Sequence, residues 1–430
     1  MPAKDEINNT VEAIENPVAA PVDPKSKPKR KFIGKPQTKA ASNDAVTLTT
    51  KRHVGRVMNQ IPEEILQDKD LNQAIKLLPS NYNFEIHKTV WNIRKQGATR
   101  VALQMPEGLL IYSLIISDIL EQFCEVETVV MGDVSYGACC IDDYTARSLD
   151  CDFIVHYAHS CLVPIDLTTI KVLYVFVTIN IDETHLINTI KLNFERGTQL
   201  AVFGTIQFNP TIHSIKAKLE NDEKPIYLIP PQTRPLSKGE VLGCTSARLN
   251  KDQISGMIYI GDGRFHLESS MIHNPEIPAY RYDPYSRKFT QEFYDQKEMI
   301  KVREDAIKTA VKAKKIGLIL GALGRQGSPV TLDRLEVELA KKGIKVVKII
   351  LSEIFPQKLS MFDDIDAFVQ VACPRLSIDW GYAFDKPLLT PYEAMVMLEN
   401  DRMWDEGYYP MDYYEKDGYG RGKVPDRSGI

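Results

Sequence analysis

Three times along this chain a short apolar run ends in a loop and gives way to a helix-patterned stretch opened by proline. TRVALQM (99–105) leads to Pro106, Glu107 and GLLIYSLIISDILEQF. QLAVFGTI (199–206) leads to Asn209, Pro210 and TIHSIKAKLE. KIGLILGAL (315–323) leads to Ser328, Pro329 and VTLDRLEVELAKKG. Proline suits the first turn of a helix, where its missing N–H has no intrahelical partner to lose. Asn209 and Ser328 are N-cap residues by type. Further strand-like runs follow each unit: VETVVMG, CDFIVHYA and KVLYVFV, then PIYLIP and GMIYIGDG, then IKVVKIIL and DAFVQVA. Strands alternating with amphipathic helices at short spacing imply βαβ units and parallel sheets.

The expected fold class is therefore α/β, with three similar domains, each a small, mainly parallel sheet flanked by helices. The boundaries read as 53–195 for the first domain, with a helical lead-in over 61–79, 196–304 for the second and 305–405 for the third. Residues 1–52, rich in Pro, Lys, Ala, Asn and Thr, read as a disordered tail. Its basic cluster KSKPKRKFIGK (25–35) suits nuclear targeting, RNA contact or a solvated, self-repelling segment. Residues 406–430, polar and glycine-containing, read as a flexible C-terminal tail.

Composition narrows the function classes. The 53 basic and 57 acidic residues leave a net charge of −4, which provides no global attraction for nucleic acid or an anionic membrane. No apolar run approaches the length of a membrane span, and MPAKDEINNT lacks the apolar core of a secretory signal. A cytoplasmic, reducing environment is expected, without membrane or direct nucleic-acid partners. The seven cysteines, at 124, 139, 140, 151, 161, 244 and 373, show no disulfide-framework spacing.

Three of them form a pattern. Cys139 (YGACC), Cys244 (LGCTSAR) and Cys373 (VACPRLS) each fall in a loop of small residues, one per expected domain. The first two follow the second strand of their domain and the third follows the third strand. If the domains surround one centre, each loop delivers one thiolate. Three thiolates are short of the four N/S ligands of a structural zinc. They suit a 4Fe–4S cluster with one open iron, because thiolates are soft and anionic. Cysteines this far apart match no local motif, so spacing leaves a shared metal site and three separate packed thiols both open.

The other cysteines read more plainly. Cys124 and Cys151 lie on apolar runs and are expected in the core. Cys140 is expected to pack or serve as a spare thiol. Cys161 neighbours His156 and His159, which suits zinc, although such histidines more often bond backbone. The loop GALGRQGSP (321–329) offers backbone N–H groups and a helix N-terminus to an anion, or is a tight turn. Arg264 and His266 in IGDGRFH (260–266) suit a ligand at the carboxyl ends of strands, or a surface turn.

Four long stretches carry a resemblance. GDVSYGACCIDDYTARSLDCDFIVHYAHSCLVPID, IGDGRFHLES, GRQGSPVTLDRLE and ACPRLSIDWG are similar, in order, to the diphthamide synthesis enzyme family over roughly residues 55–400. The resemblance implies three α/β domains around one central 4Fe–4S cluster, with Cys139, Cys244 and Cys373 as its ligands. It implies non-standard radical S-adenosylmethionine chemistry without a local CxxxCxxC motif. The 3-amino-3-carboxypropyl group would pass to carbon 2 of a histidine imidazole in elongation factor 2, releasing methylthioadenosine. It further implies a heterodimer with subunit 2 of the pathway and a small iron-binding electron donor. Beyond the cluster ligands no catalytic residue is expected. Arg264, Arg325, Gln326 and Ser328 are the candidates for holding S-adenosylmethionine. Two alternatives stay open: a non-catalytic, cluster-carrying scaffold subunit, and an iron-free nucleotide enzyme using GALGRQGSP.

Overall fold

The computed structural model describes residues 61–133, 135–223, 225–399, 403–404 and 408–422. The expected N-terminal tail and its basic cluster lie outside the described residues. The first part of the chain carries β1 (Tyr82–Asn83), β2 (Arg100–Gln104), β3 (Glu127–Val130), β4 (Phe153–Tyr157), β5 (Lys171–Val175) and β6 (Thr178–Ile179). The middle carries β7 (Gln199–Gly204), β8 (Tyr227–Ile229), β9 (Gly256–Ile260), β10 (Ala279–Asp283) and β11 (Lys288–Glu292). The last part carries β12 (Lys315–Gly321), β13 (Lys345–Leu351), β14 (Ala367–Val371) and β15 (Leu388–Leu389).

These strands form three main sheets in the orders β3-β2-β4-β5, β11-β10-β9-β7-β8 and β13-β12-β14-β15, plus the small ribbon β1-β6. Each main sheet thus repeats one arrangement: its first strand lies between its second and third, and its fourth lies beyond the third. All pairs within the three sheets are parallel except β10 with β11. β10 and β11 go beyond the runs read from the sequence. The central strands β4, β9 and β14 are buried at every position, as expected when helices cover both faces of a parallel sheet.

The helix starts follow the local chemistry, with two corrections. Ser328 caps the helix Pro329–Lys341 by accepting the Thr331 N–H. Asn209 is not a cap. It is the first residue of the helix Asn209–Glu220, and its side-chain amide donates to the Lys238 carbonyl at 2.9 Å instead. A preceding turn, Ile206–Phe208, runs straight into that helix and leaves Asn209 with helical backbone. Pro106 precedes its helix as the cap residue and does not enter the first turn. The lead-in divides into Glu63–Leu66 and Lys69–Ile75, the second capped by Asp68.

The C-terminal expectation is corrected for its described part. Residues 408–422 are packed, with Tyr409, Met411, Tyr413, Tyr414 and Tyr419 all buried in the core cluster that contains Cys139, Cys244 and Cys373. Polar spacing suggested a tail, but five such side chains offer apolar area that a mobile segment would leave in water. The density of tyrosine in GYYPMDYYEKDGYG was the signal available. No helix among the described residues is long and apolar enough to cross a membrane.

Candidate metal centre and adjoining cavity

Cys139, Cys244 and Cys373 each stand in a loop beyond the carboxyl end of a strand, after β3, β8 and β14 respectively. In open parallel sheets these ends, beside the point where strand order reverses, are where ligands bind. All three thiols are buried, and they belong to one packed cluster. They also act on one another: Cys244 and Cys373 both bear electrostatically on Cys139.

A buried glutamine holds two of these loops. The Gln104 side chain, at the end of β2, donates to the Cys140 carbonyl at 2.7 Å and accepts the Asp142 N–H. The Gln370 side chain, in β14, donates to the Cys373 carbonyl at 2.6 Å and to Ser377. The Cys244 loop is held by the C-terminal segment. Tyr413 N–H donates to the Cys244 carbonyl, Tyr414 N–H to the Thr245 hydroxyl, and Ser246 N–H to the Met411 carbonyl.

Buried arginines tie the third sheet's loops to the other two. Arg325 makes a two-pronged pair with Asp143 at 2.6 and 2.7 Å, with side chains 5% and 0% exposed. Beside it, Gly324 adopts φ +55°, and a Cβ there would lie 2.6 Å from the Cys140 carbonyl oxygen. Arg375, two residues after Cys373, donates to the carbonyls of Gly243 and Phe265 and pairs with Glu268 and Asp379. One guanidinium therefore sets the Cys373 loop against the residue preceding Cys244. Two-pronged arginine pairing fixes orientation as well as distance, which suits it to aligning loops.

Burial pushes the Cys244 thiol up to about 12 and holds Cys139 and Cys373 well above the ordinary thiol range. A side-chain hydrogen bond that the Cys139 thiol donates to Cys140 adds to the effect, because it favours the protonated form. Buried thiols stay protonated without a cation, and binding a metal is what makes them thiolates. Among the described residues no three His, Cys, Asp or Glu side chains form a site for a single ion. A polynuclear cluster attaches each thiolate to a different iron, and three buried thiols brought from three sheets into one cluster suit a 4Fe–4S group.

The zinc reading at Cys161 is corrected by the same observation. His156 bonds the Gln104 side chain and His159 faces the Ser135 carbonyl, while Cys161 is exposed. Burial lowers both histidines, His159 to about 4. Cys124 and Cys151 pack as expected, half-buried and buried. Cys140 is buried beside Cys139, its carbonyl engaged by Gln104.

A cavity of about 430 Å³ opens at Cys373. Gln326 lines it, with Tyr136, Phe355, Trp380 and Phe384 as aromatic walls and Asp133 and Glu353 as acidic ones. Of the four candidates for holding S-adenosylmethionine, only Gln326 is among its lining residues. Arg325 is committed to Asp143. Ser328 is fully buried as a helix cap. Arg264 pairs with Glu268 and Glu292 and donates to the Phe293 carbonyl. Its link to the centre is indirect, since Glu268 also holds Arg375. Sequence reasoning missed Arg375, Gln104 and Gln370, because each acts through a contact that only the packed chain creates.

The diphthamide synthesis protein family matches residues 105–410. The chain is 83% identical over 405 residues to 2-(3-amino-3-carboxypropyl)histidine synthase subunit 1 of Debaryomyces hansenii, covering 94% of this chain and 96% of the relative. It is 68% identical to the protein of the same name from Saccharomyces cerevisiae, covering 93% and 97%. The crystal structure of Dph2 from Pyrococcus horikoshii with a 4Fe-4S cluster superposes with a TM-score of 0.63 at 25% identity, over 80% of this chain and 96% of that one. The chain belongs to the diphthamide synthesis family. The naming of its relatives places it among the transferases, as an enzyme of the first step in making diphthamide.

Proposed function

We propose that this chain is the catalytic, cluster-bearing subunit of a 2-(3-amino-3-carboxypropyl)histidine synthase. It would act in the cytoplasm with a second subunit and a small iron-binding electron donor. Its substrate would be a histidine of elongation factor 2, modified at imidazole carbon 2 by the aminocarboxypropyl group of S-adenosylmethionine. The observation that carries this reading is the meeting of Cys139, Cys244 and Cys373, from three separate sheets, in one buried cluster beside an aromatic-walled cavity. When bound, a 4Fe–4S group supplies the single low-potential electron that this radical transfer needs.

The chain's own residues would hold and orient. Cys139, Cys244 and Cys373 would anchor the group at three corners. Tyr136, Phe355, Trp380 and Phe384 offer faces for the adenine of S-adenosylmethionine. Asp133 and Glu353 favour the cationic sulfonium and amino groups, and Gln326 offers an amide to the carboxylate. Holding the sulfonium in one orientation selects which of its three C–S bonds breaks. The three domains, each presenting one cysteine, remain part of this proposal.

The test is low-temperature electron paramagnetic resonance on anaerobically purified, dithionite-reduced protein, with and without S-adenosylmethionine. A reduced 4Fe–4S signal that changes on adding S-adenosylmethionine is expected, and Cys139→Ala, Cys244→Ala and Cys373→Ala should each abolish modification of the elongation factor. Full modification by all three variants, or iron and sulfide near zero in the wild-type chain, would sink the proposal.

A further inference from the structure

The C-terminal segment brings one unsatisfied polar atom to the centre. Tyr413 is 6% exposed, and its hydroxyl has no hydrogen-bond partner. Tyr413 lines one small cavity with Cys244 and packs in the buried cluster that holds all three cysteines; burial first, and then those thiols, keep its hydroxyl protonated. Its backbone is fixed on both sides, by the N–H bond to the Cys244 carbonyl and by the Gly420 N–H on its own carbonyl at 2.9 Å. Its ring lies edge-on to Tyr414, with centroids 5.0 Å apart. Glycine is required around it: a Cβ at Gly420 would lie 2.6 Å from the Tyr413 ring, and one at Gly418 2.4 Å from the Tyr413 carbonyl oxygen. The ring is therefore held in place and cannot turn its hydroxyl to water. The neighbouring Tyr409 shows the contrast, since its hydroxyl bonds both Glu393 and Thr390.

Buried hydroxyls are rarely left unpaired, because the lost hydration is not recovered. A fixed, unpaired O–H buried in one cluster with three thiol ligands is a donor whose acceptor belongs to the bound state. We infer that the Tyr413 hydroxyl donates a hydrogen bond to a sulfur of the group held by Cys139, Cys244 and Cys373, and so raises its reduction potential. The physical reason is charge: the reduced group carries one more negative charge, so a donor to its sulfur stabilises that form more than the oxidised one. Tyr413 is in this sense a tuning residue, and the C-terminal segment is a working part of the centre. The inference rests on the proposed function.

The test uses Tyr413→Phe in the full-length chain, reconstituted anaerobically, with Tyr409→Phe as the comparison. Iron and sulfide per chain are measured first, then the reduction midpoint by potentiometric titration. Tyr413→Phe is expected to keep its iron. Its reduced-to-oxidised ratio at fixed potential should fall about tenfold, a midpoint lower by about 59 mV for one electron. Tyr409→Phe should leave the midpoint where it is. Cluster-free Tyr413→Phe should be at least as heat-stable as cluster-free wild type, because the hydroxyl it loses has no partner there. In wild type prepared in deuterated buffer, pulsed resonance should show one exchangeable deuteron coupled to the cluster that Tyr413→Phe lacks. An unchanged midpoint overturns the inference while leaving the proposed function standing. If the variant fails to hold iron, absence of that deuteron in wild type overturns it. A wild-type chain without iron overturns both readings.

Discussion

Replacing Arg325 with methionine isolates the contact that sets the Cys139 loop against the third sheet. The change keeps most of the aliphatic volume and removes both charge-assisted bonds to Asp143, at 2.6 and 2.7 Å. Asp143 is fully buried, so its carboxylate loses its counter-charge without gaining water. Removing one partner of a buried pair costs about 3–5 kcal/mol. The carboxylate keeps the Thr169 N–H and hydroxyl, at 2.5 and 2.8 Å. The loss should therefore fall at the lower end, about 3 kcal/mol, or roughly a hundredfold in the folding equilibrium. The assay is denaturant unfolding of the cluster-free chain, read as a shift in midpoint at constant slope. Adding Asp143→Asn to Arg325→Met should recover part of the loss, since a neutral amide avoids the buried charge and keeps an acceptor oxygen for Thr169. A loss below about 1 kcal/mol, or no recovery in the double variant, would refute the assignment of the energy to this pair.

Three further outcomes follow from the same geometry. Burial tends to raise the Asp143 carboxyl, but Arg325 and Thr169 outweigh it and hold it below its usual 3.8. Its stabilisation is thus present above that value and lost as pH falls through the lower native one, so the stability gap between wild type and Arg325→Met should close in an acid titration and persist at neutrality. Gly324→Ala forces a side chain into φ +55° with its Cβ 2.6 Å from the Cys140 carbonyl; a cost of at least about 1–2 kcal/mol is expected from the backbone alone, and lower iron per chain should accompany it. Tyr409→Ala should cost about 3–5 kcal/mol in the same unfolding assay, as for other buried aromatics; a change below about 0.5 kcal/mol is what a mobile tail would show.

What the sequence determined by itself is what local chemistry decides. The strand at KIGLILG was legible because a continuous apolar run suits a strand buried on both faces, and Ser328–Pro329 marked the helix start because a cap and a fixed φ act within one turn. Asn209 misled for the same reason in reverse: its type suits a cap, but the preceding turn had already begun the helix. The three cysteines could be singled out by their loops, and their meeting could be posed only as a condition. Whether they meet depends on pairs such as Arg325 with Asp143 and Arg375 with Glu268, 182 and 107 residues apart. Contacts at that separation leave no periodicity in the chain. The same holds for the C-terminal segment, whose tyrosines read as a tail by their polar neighbours and became core once the Cys244 loop was there to receive them. The tertiary structure decided which polar groups are spent on packing, as Arg325 and Ser328 are, and which are left buried and unpaired, as the Tyr413 hydroxyl is, because hydrogen-bond satisfaction is settled only when every neighbour is in place.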